Sequence, residues 1–298
     1  MPRLLSVACV LLASIVSSNA LSCSGASASD VAVPLLPSVE QHIALPSPLS
    51  WPHWLRLPEP VANEDPDSDR DGISDGLEAE IARRYAPSYA VSDRDPCPLH
   101  GLLYRVSPHP RAGLLVVRYV ALYQHDCGAR GHPGDSEVFS ALVNPSVPPP
   151  EGILAVRAIA HQGTLCESVM TCGAVPGCHP CETMQREGRP YPVVYSSYGK
   201  HGGYLSLQVC SFSFVCDYGG CTARTRSDDA PMVNAGESGY PMVSDLTDQG
   251  FVRPDQGWSE PSLMHFDPWS RDKFGGAGNV AKDLRDPLYV IDPGRCNP

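Results

Sequence analysis

Leu114-Leu-Val-Val-Arg-Tyr-Val-Ala-Leu-Tyr123, then Gln124-His125-Asp126-Cys127-Gly128-Ala129-Arg130-Gly131-His132-Pro133-Gly134-Asp135-Ser136-Glu137, then Val138-Phe-Ser-Ala-Leu-Val143, is the stretch on which the fold turns. The two flanking runs are apolar and rich in β-branched and aromatic residues, so each reads as a strand. Between them lies a loop dense in His and carboxylate. Asp135 and Glu137 alternate with Ser136, and at the start of a strand both carboxylates point to one face. That arrangement suits a metal site; the other reading is a solvated turn whose Gly, Pro and Asp serve turn chemistry alone.

Around this hairpin the chain supplies more short strands than helices. Leu102 to Val106, Ile153 to Ile159, Val193 to Ser197 and Tyr204 to Val209 are further strand candidates, separated by turns. Thirty-one Pro and 26 Gly fit many turns. The expected fold is mostly β, a two-sheet antiparallel β-sandwich preceded by a calcium-binding loop and one helix, and rich in disulfides.

The 298 residues, 42% of them hydrophobic, are enough for a sizeable core. A formal net charge of −11 argues against a nucleic-acid partner, which needs a basic face to neutralise phosphates. Residues 1–20 carry Arg3, an apolar run from Leu4 to Val16 and the small residues Ser18-Asn19-Ala20, the pattern of a secretory signal peptide. It is too short for a comfortable membrane span, so no transmembrane span is expected in the mature chain. Export to the cell envelope or beyond follows. Of twelve cysteines, Cys9 leaves with the signal; if Cys23 is lipidated as a lipoprotein anchor, the remaining ten allow five disulfides. A secreted chain with a spare thiol is the alternative.

Residues 21–63 are rich in Ser, Ala and Pro and read as a linker and strap, with Trp51 and Trp54 as anchors. Residues 64–86 hold the most specific motif. Asp67-Ser-Asp69-Arg-Asp71-Gly72-Ile73-Ser-Asp75-Gly-Leu-Glu78 fills every fixed position of the calcium-loop pattern D-x-[DN]-x-[DN]-G-x₅-E. Asp67, Asp69 and Asp71 present oxygens to a hard cation and Gly72 allows the sharp turn. The Ile73 carbonyl is a ligand, Asp75 acts directly or through water, and Glu78 closes the sphere. Leu77, Ile81 and Tyr85 then stand four apart on a helix that Pro87 stops. Pro58, Pro60 and Pro66 leave no entering helix, so the loop is EF-hand-like without its pair. It resembles the calcium repeats of dockerins and thrombospondin type 3 segments, and an extracellular site of this kind acts as a structural clasp.

Residues 87–298 form the expected sandwich, with a cysteine-dense insert at 166–181. Cys166, Cys172, Cys178 and Cys181 could hold zinc, but in an exported protein disulfides are expected. Cys97 and Cys127 could staple the polar loop to the domain edge, and Lys200 and His201 end a strand beside glycines that permit a tight turn. Trp258, His265 and Cys296 belong to a closing C-terminal segment.

Arg83-Arg84-Tyr85-Ala86-Pro87, Gly131-His132-Pro133-Gly134-Asp135-Ser136-Glu137 and Arg189-Pro-Tyr-Pro-Val-Val-Tyr195, leading to Gly199-Lys200-His201-Gly202-Gly203-Tyr204, resemble the vacuolar protein sorting-associated protein 62 family. More distantly they resemble the necrosis- and ethylene-inducing peptide-like cytolysins. The resemblance spans roughly residues 82–290. In the cytolysins a heptapeptide G-H-R-H-D-W-E supplies ligands to a divalent cation in a cleft of a β-sandwich, with an upstream Asp. It therefore implies a second cation site from His132, Asp135 and Glu137, with Asp126 upstream and His201 on the neighbouring loop. The second His of the heptapeptide is Gly134 here and its Trp is Ser136, which leaves the site intact and puts cytolysis in question. Carboxylates and imidazole with water suit Ca²⁺, Mg²⁺ or Mn²⁺. The expected function is binding of a cell-surface glycan or lipid headgroup through that cation. A secreted metal-dependent hydrolase using the same residues is the alternative; no nucleophile motif, phosphate loop or H-E-x-x-H supports it.

Overall fold

The computed structural model describes residues 66–97, 99–217, 219–221, 225–226, 230–243, 266–274 and 278–296. The signal segment 1–20, the strap 21–63 with Cys23, Trp51 and Trp54, and also Trp258 and His265, lie outside the described residues. The two runs of the central stretch are β3 (Leu115–His125) and β4 (Pro133–Val143), paired antiparallel with Tyr123 opposite Asp135 and Ala121 opposite Glu137. They lie at the centre of a six-stranded sheet. On one side are β2 (Leu99–Pro108) and the edge strand β11 (Met232–Asn234); on the other are β5 (Ile153–Ala160) and β6 (Ser168–Gly173). The loop between β3 and β4 shrinks to 126–132, because the ladder extends down to His125 opposite Pro133.

A second sheet runs β10 (Thr225–Arg226), β1 (Ser88–Val91), β8 (Arg189–Ser196) and β7 (Thr183–Arg186), with β9 (Gly203–Tyr204) also on β8. The sheets share one core, in which Tyr89, Tyr191 and Val194 meet Tyr104, Tyr119 and Phe139. Tyr89 and Tyr119 each stack on Phe139, with ring centroids 5.3 and 5.1 Å apart; such pairs add about 0.5–1.5 kcal/mol beyond burial. The opposite face of the larger sheet, with Leu103, Val120, Leu122 and Val138, is covered by Phe266, Phe274, Val280, Leu284 and Tyr289. Burial on both faces explains why Leu115 to Tyr123 is almost unbroken apolar sequence rather than alternating.

Helix α1 (Asp75–Arg84) follows the acidic loop and packs Leu77 and Ile81 into the shared core. Its acids, Asp75 and Glu78, sit in the first turn and Arg83 and Arg84 in the last, which suits the helix dipole. Tyr85 ends it, donating from its hydroxyl to the Val147 carbonyl at 2.8 Å, while Tyr119 donates to the Ala82 carbonyl at 2.9 Å. The Arg-Tyr-Ala-Pro segment thus plugs the helix into the sandwich.

The strand expected at Tyr204 to Val209 stops at Tyr204 and gives way to α2 (Leu207–Phe212). Ser206 provides an extended N-cap backbone, and the helical turn buries Cys210, which is bonded to Cys221. The period-two apolar pattern there was a poor guide because the disulfide decides which side chain turns inward. Five disulfides form: Cys97–Cys127, Cys166–Cys216, Cys172–Cys181, Cys178–Cys296 and Cys210–Cys221. The four cysteines of 166–181 therefore fall into three different bridges, which replaces the zinc alternative. All ten cysteines from Cys97 onward are paired.

Candidate functional site

The polar loop is fixed from several sides. Asp126 accepts at Oδ1 from the Gly128 amide at 2.8 Å, and its own amide donates to the His132 carbonyl at 2.9 Å. A Cβ on Gly131 would lie 2.1 Å from the Asp126 carbonyl oxygen, so this turn demands glycine. The Cys97–Cys127 bridge anchors the loop, and the Cys127 amide donates to the Gly199 carbonyl at 2.8 Å. That bond brings the 197–202 turn alongside, and with it Lys200 and His201.

Lys200 donates from Nζ to Asp126 Oδ2, and His132 Nε2 stands 3.6 Å from the same oxygen. His201 is fully buried and stacks on Tyr123 with ring centroids 3.6 Å apart. Its Nδ1 bonds Asp135 Oδ2 at 2.7 Å, and its Nε2 lies 3.5 Å from Asp95 Oδ1. Burial alone lowers the affinity of this imidazole for a proton, but Asp135 and Asp95 outweigh it and raise the pKa to about 9. With Nδ1 bonded to Asp135 and no exposed surface, His201 lies behind the residues that line the cleft.

Asp126, His132, Asp135 and Glu137 do line one cleft, of about 640 Å³. Its other walls include Arg130, His161, Lys200, Lys282, Asp283 and Tyr289. Unlike Asp126 and Asp135, Glu137 accepts no hydrogen bond at its carboxyl from the described residues. Burial pushes its pKa well above the usual carboxylate range, and Asp135, Asp217, Asp283 and Asp126 push it further. Asp283 is raised to about 6, again by burial, against the pull of Lys282.

His161 escaped the sequence reading. Its Nε2 lies 2.7 Å from Asp217 Oδ1, and Asp217 also accepts from Ser197 Oγ at 2.9 Å and Tyr204 Oη at 2.6 Å. Burial raises the Asp217 pKa, but the bonds from His161 and Tyr204 prevail and hold it below the ordinary value. His161 sits in left-handed backbone at φ 54°, just past the end of β5. A polar residue just after an apolar strand was the only signal available.

Toward a hard divalent cation the cleft offers Glu137, which lacks a donor and is crowded by like charge, and Asp135 two residues before it on β4, whose oxygens also bond His201 and the Ser136 amide. Asp126 is already neutralised by Lys200. Among the described residues, the three-carboxylate group whose ligand atoms all lie within 4.8 Å of one another is elsewhere, at Asp67, Asp69 and Asp71.

That loop is built as its spacing dictates. Gly72 has φ 92°, and its amide donates to Asp67 Oδ2 at 3.1 Å. The Ile73 amide donates to Asp71 Oδ1 at 2.8 Å while its side chain enters the core. Both carboxyl oxygens of Asp69, Asp71 Oδ2 and Glu78 Oε1 are buried without a partner. Burial, then like charge, raises Asp69 to about 6, Asp71 to about 7 and Glu78 to about 9. The two oxygens of Asp75 accept from the Ser68 amide at 2.8 Å and Ser68 Oγ at 2.6 Å.

No protein-family model and no curated protein matches the chain. Among solved structures it is similar to NLPPya in complex with mannosamine, at 11% identity and a TM-score of 0.40, over 82% of this chain and 97% of that one. NLPPya in complex with glucosamine follows at 11% identity and 0.38, over 71% and 89%. A structure described as a toxin fold for microbial attack and plant defense gives 12% identity and 0.28, over 52% and 72%. These neighbours are necrosis- and ethylene-inducing peptide-like proteins, and the vacuolar protein sorting-associated protein 62 family finds no support among them.

Proposed function

We propose that this is an exported binding protein whose cleft takes up a sugar or a polar lipid headgroup at a cell surface, through a divalent cation held by Asp135 and Glu137. The observation that carries it is Glu137, an acid on an open polar cleft with no donor for its carboxylate and acids on several sides. A cation would relieve that repulsion and present open positions to hydroxyl or phosphate oxygens. His132 and Asp126 stand at the rim of this site. Lys200, Arg130 and Lys282 add hydrogen-bond donors to the lining. Oxygen donors favour Ca²⁺, Mg²⁺ or Mn²⁺. Five disulfides support export, since such bridges persist in oxidising compartments. No helix of the described residues is long and apolar enough to cross a membrane. The lipid anchor at Cys23 remains a proposal of the sequence.

The test is a titration of mannosamine and glucosamine, and of vesicles bearing sugar or phosphate headgroups, with Mn²⁺ present or chelated. Binding that needs the cation and disappears in Glu137→Gln supports the reading; cation-independent binding, or none to any probe, opposes it. A metal-dependent hydrolase is favoured by one observation, the His161–Asp217 pair on the cleft wall, because a carboxylate-oriented imidazole suits a general base. Turnover of ester or phosphodiester substrates that is lost in His161→Gln would select that reading instead.

A further inference from the structure

The acidic loop at 67–78 touches a part of the chain more than 150 residues away. Glu78 is fully buried on α1, and its Oε1 has no partner. Its Oε2 accepts from Asn234 Nδ2 at 2.8 Å, across a sequence separation of 156. Asn234 cannot easily turn its amide round, because its Oδ1 accepts from the Gly236 amide at 3.0 Å. The carboxylate that ends the calcium pattern is thus aimed by a side chain of β11.

β11 is a short edge strand of three residues, parallel to β2 with Asn234 opposite Tyr104. The flanking bonds are few: the Leu102 amide to the Pro231 carbonyl at 2.9 Å, and the Ala235 amide to the Tyr104 carbonyl at 2.8 Å. The hairpin that follows, β12 (Gly236–Glu237) with β13 (Tyr240–Pro241), leans on the same loop. The Arg70 guanidinium lies 4.9 Å from the Tyr240 ring centroid. Glu237 of this hairpin is tied to Arg105 Nε at 2.6 Å.

We infer that residues 67–78 form a calcium site with Asp67, Asp69, Asp71 and Glu78 as ligands and Asn234 as the positioning residue for Glu78, so that calcium fastens the edge strand β11 and its hairpin to the six-stranded sheet. The oxygens of Asp69 and Glu78, buried and without donors, are the observation that separates this from a merely acidic turn. The site is independent of the cleft and of its proposed ligand.

The experiment uses the full chain in the Glu137→Gln background, which keeps the cleft out of the calcium count. Calorimetric titration with Ca²⁺ should give one ion, and Asp69→Asn should abolish it. Asn234→Ala should keep the stoichiometry and weaken affinity roughly tenfold, the usual cost of losing a residue that orients a ligand. Amide hydrogen exchange over residues 231–236 should slow on adding calcium. Absence of calcium binding, or binding unchanged by Asp69→Asn, overturns the site. Calcium binding that leaves exchange over 231–236 unaltered overturns the latch. If Asn234→Ala fails to fold, the exchange comparison on the parent protein with calcium and with chelator still decides.

Discussion

In the loop at 67–78, four buried carboxyl oxygens find no donor. In the cleft the chain supplies its own partners: Lys200 bonds Asp126, His201 bonds Asp135, and His161 bonds Asp217. Glu137 has no such bond from the described residues. The loop is a set of buried acids without donors; the cleft is a framework of internal hydrogen bonds around an acid that has none. The two regions should respond oppositely to the same manipulations, and that is how the comparison can be broken.

The largest effect is expected at the buried carboxylate of Asp217. Asp217→Asn leaves His161, Ser197 and Tyr204 donating to a neutral amide, and should cost about 3 kcal/mol in a denaturant melt. The pH dependence follows from the lowered Asp217 pKa. Its contribution is fully present above its ordinary value of 3.8 and is lost as pH falls through the folded value. The wild-type protein should lose stability along an acid limb that Asp217→Asn flattens. An unchanged acid limb would show that Asp217 is not the framework's anchor.

Chelation comes next and tests the loop. At free calcium a hundred times its Kd, a bound ion stabilises by about 2.7 kcal/mol. For a domain of this size that corresponds to a melting shift of roughly 5–10 °C. Glu78→Gln should take up most of that shift, and the variant should melt alike with and without calcium. A melting curve indifferent to chelator would reduce the loop to a solvated turn.

A smaller effect of opposite sign is expected at Glu137. Removing its charge by Glu137→Gln should raise stability in chelator by about 1 kcal/mol, because a crowded acid kept for binding is stored strain. The same variant should lose any stabilisation by cation at the cleft. If it is destabilised in chelator, Glu137 has a donor and the proposed site fails. The smallest effect serves as the baseline: Arg83→Ala, which breaks the exposed pair with Glu80, should change stability by less than about 0.5 kcal/mol.

The turn at 67–78 was legible in the sequence because its acids fall within twelve consecutive residues, and because glycine at position 72 meets a backbone requirement that the structure shows as φ 92°. Asn234 was not, since the contact is made by a strand far along the chain. The central strands were legible from apolar runs, whereas burial of both faces of β3 depends on a C-terminal segment that pattern alone cannot place. The same distinction governs the cleft. Asp135 and Glu137 were found because they are two apart on one strand. His161 and Asp217 were missed because they meet across 56 residues. His201 lies in the 197–202 turn, and the groups that surround it, Asp135, Asp95 and Tyr123, come from three other segments.

The most direct test of the cleft is a count of bound ions. After equilibration with Mn²⁺ and removal of free metal, the wild-type protein should hold two ions per chain, one in each acidic region. The Asp135→Asn, Glu137→Gln double variant should hold one and keep the ion at 67–78. Two ions retained in the double variant would contradict a cation held by Asp135 and Glu137.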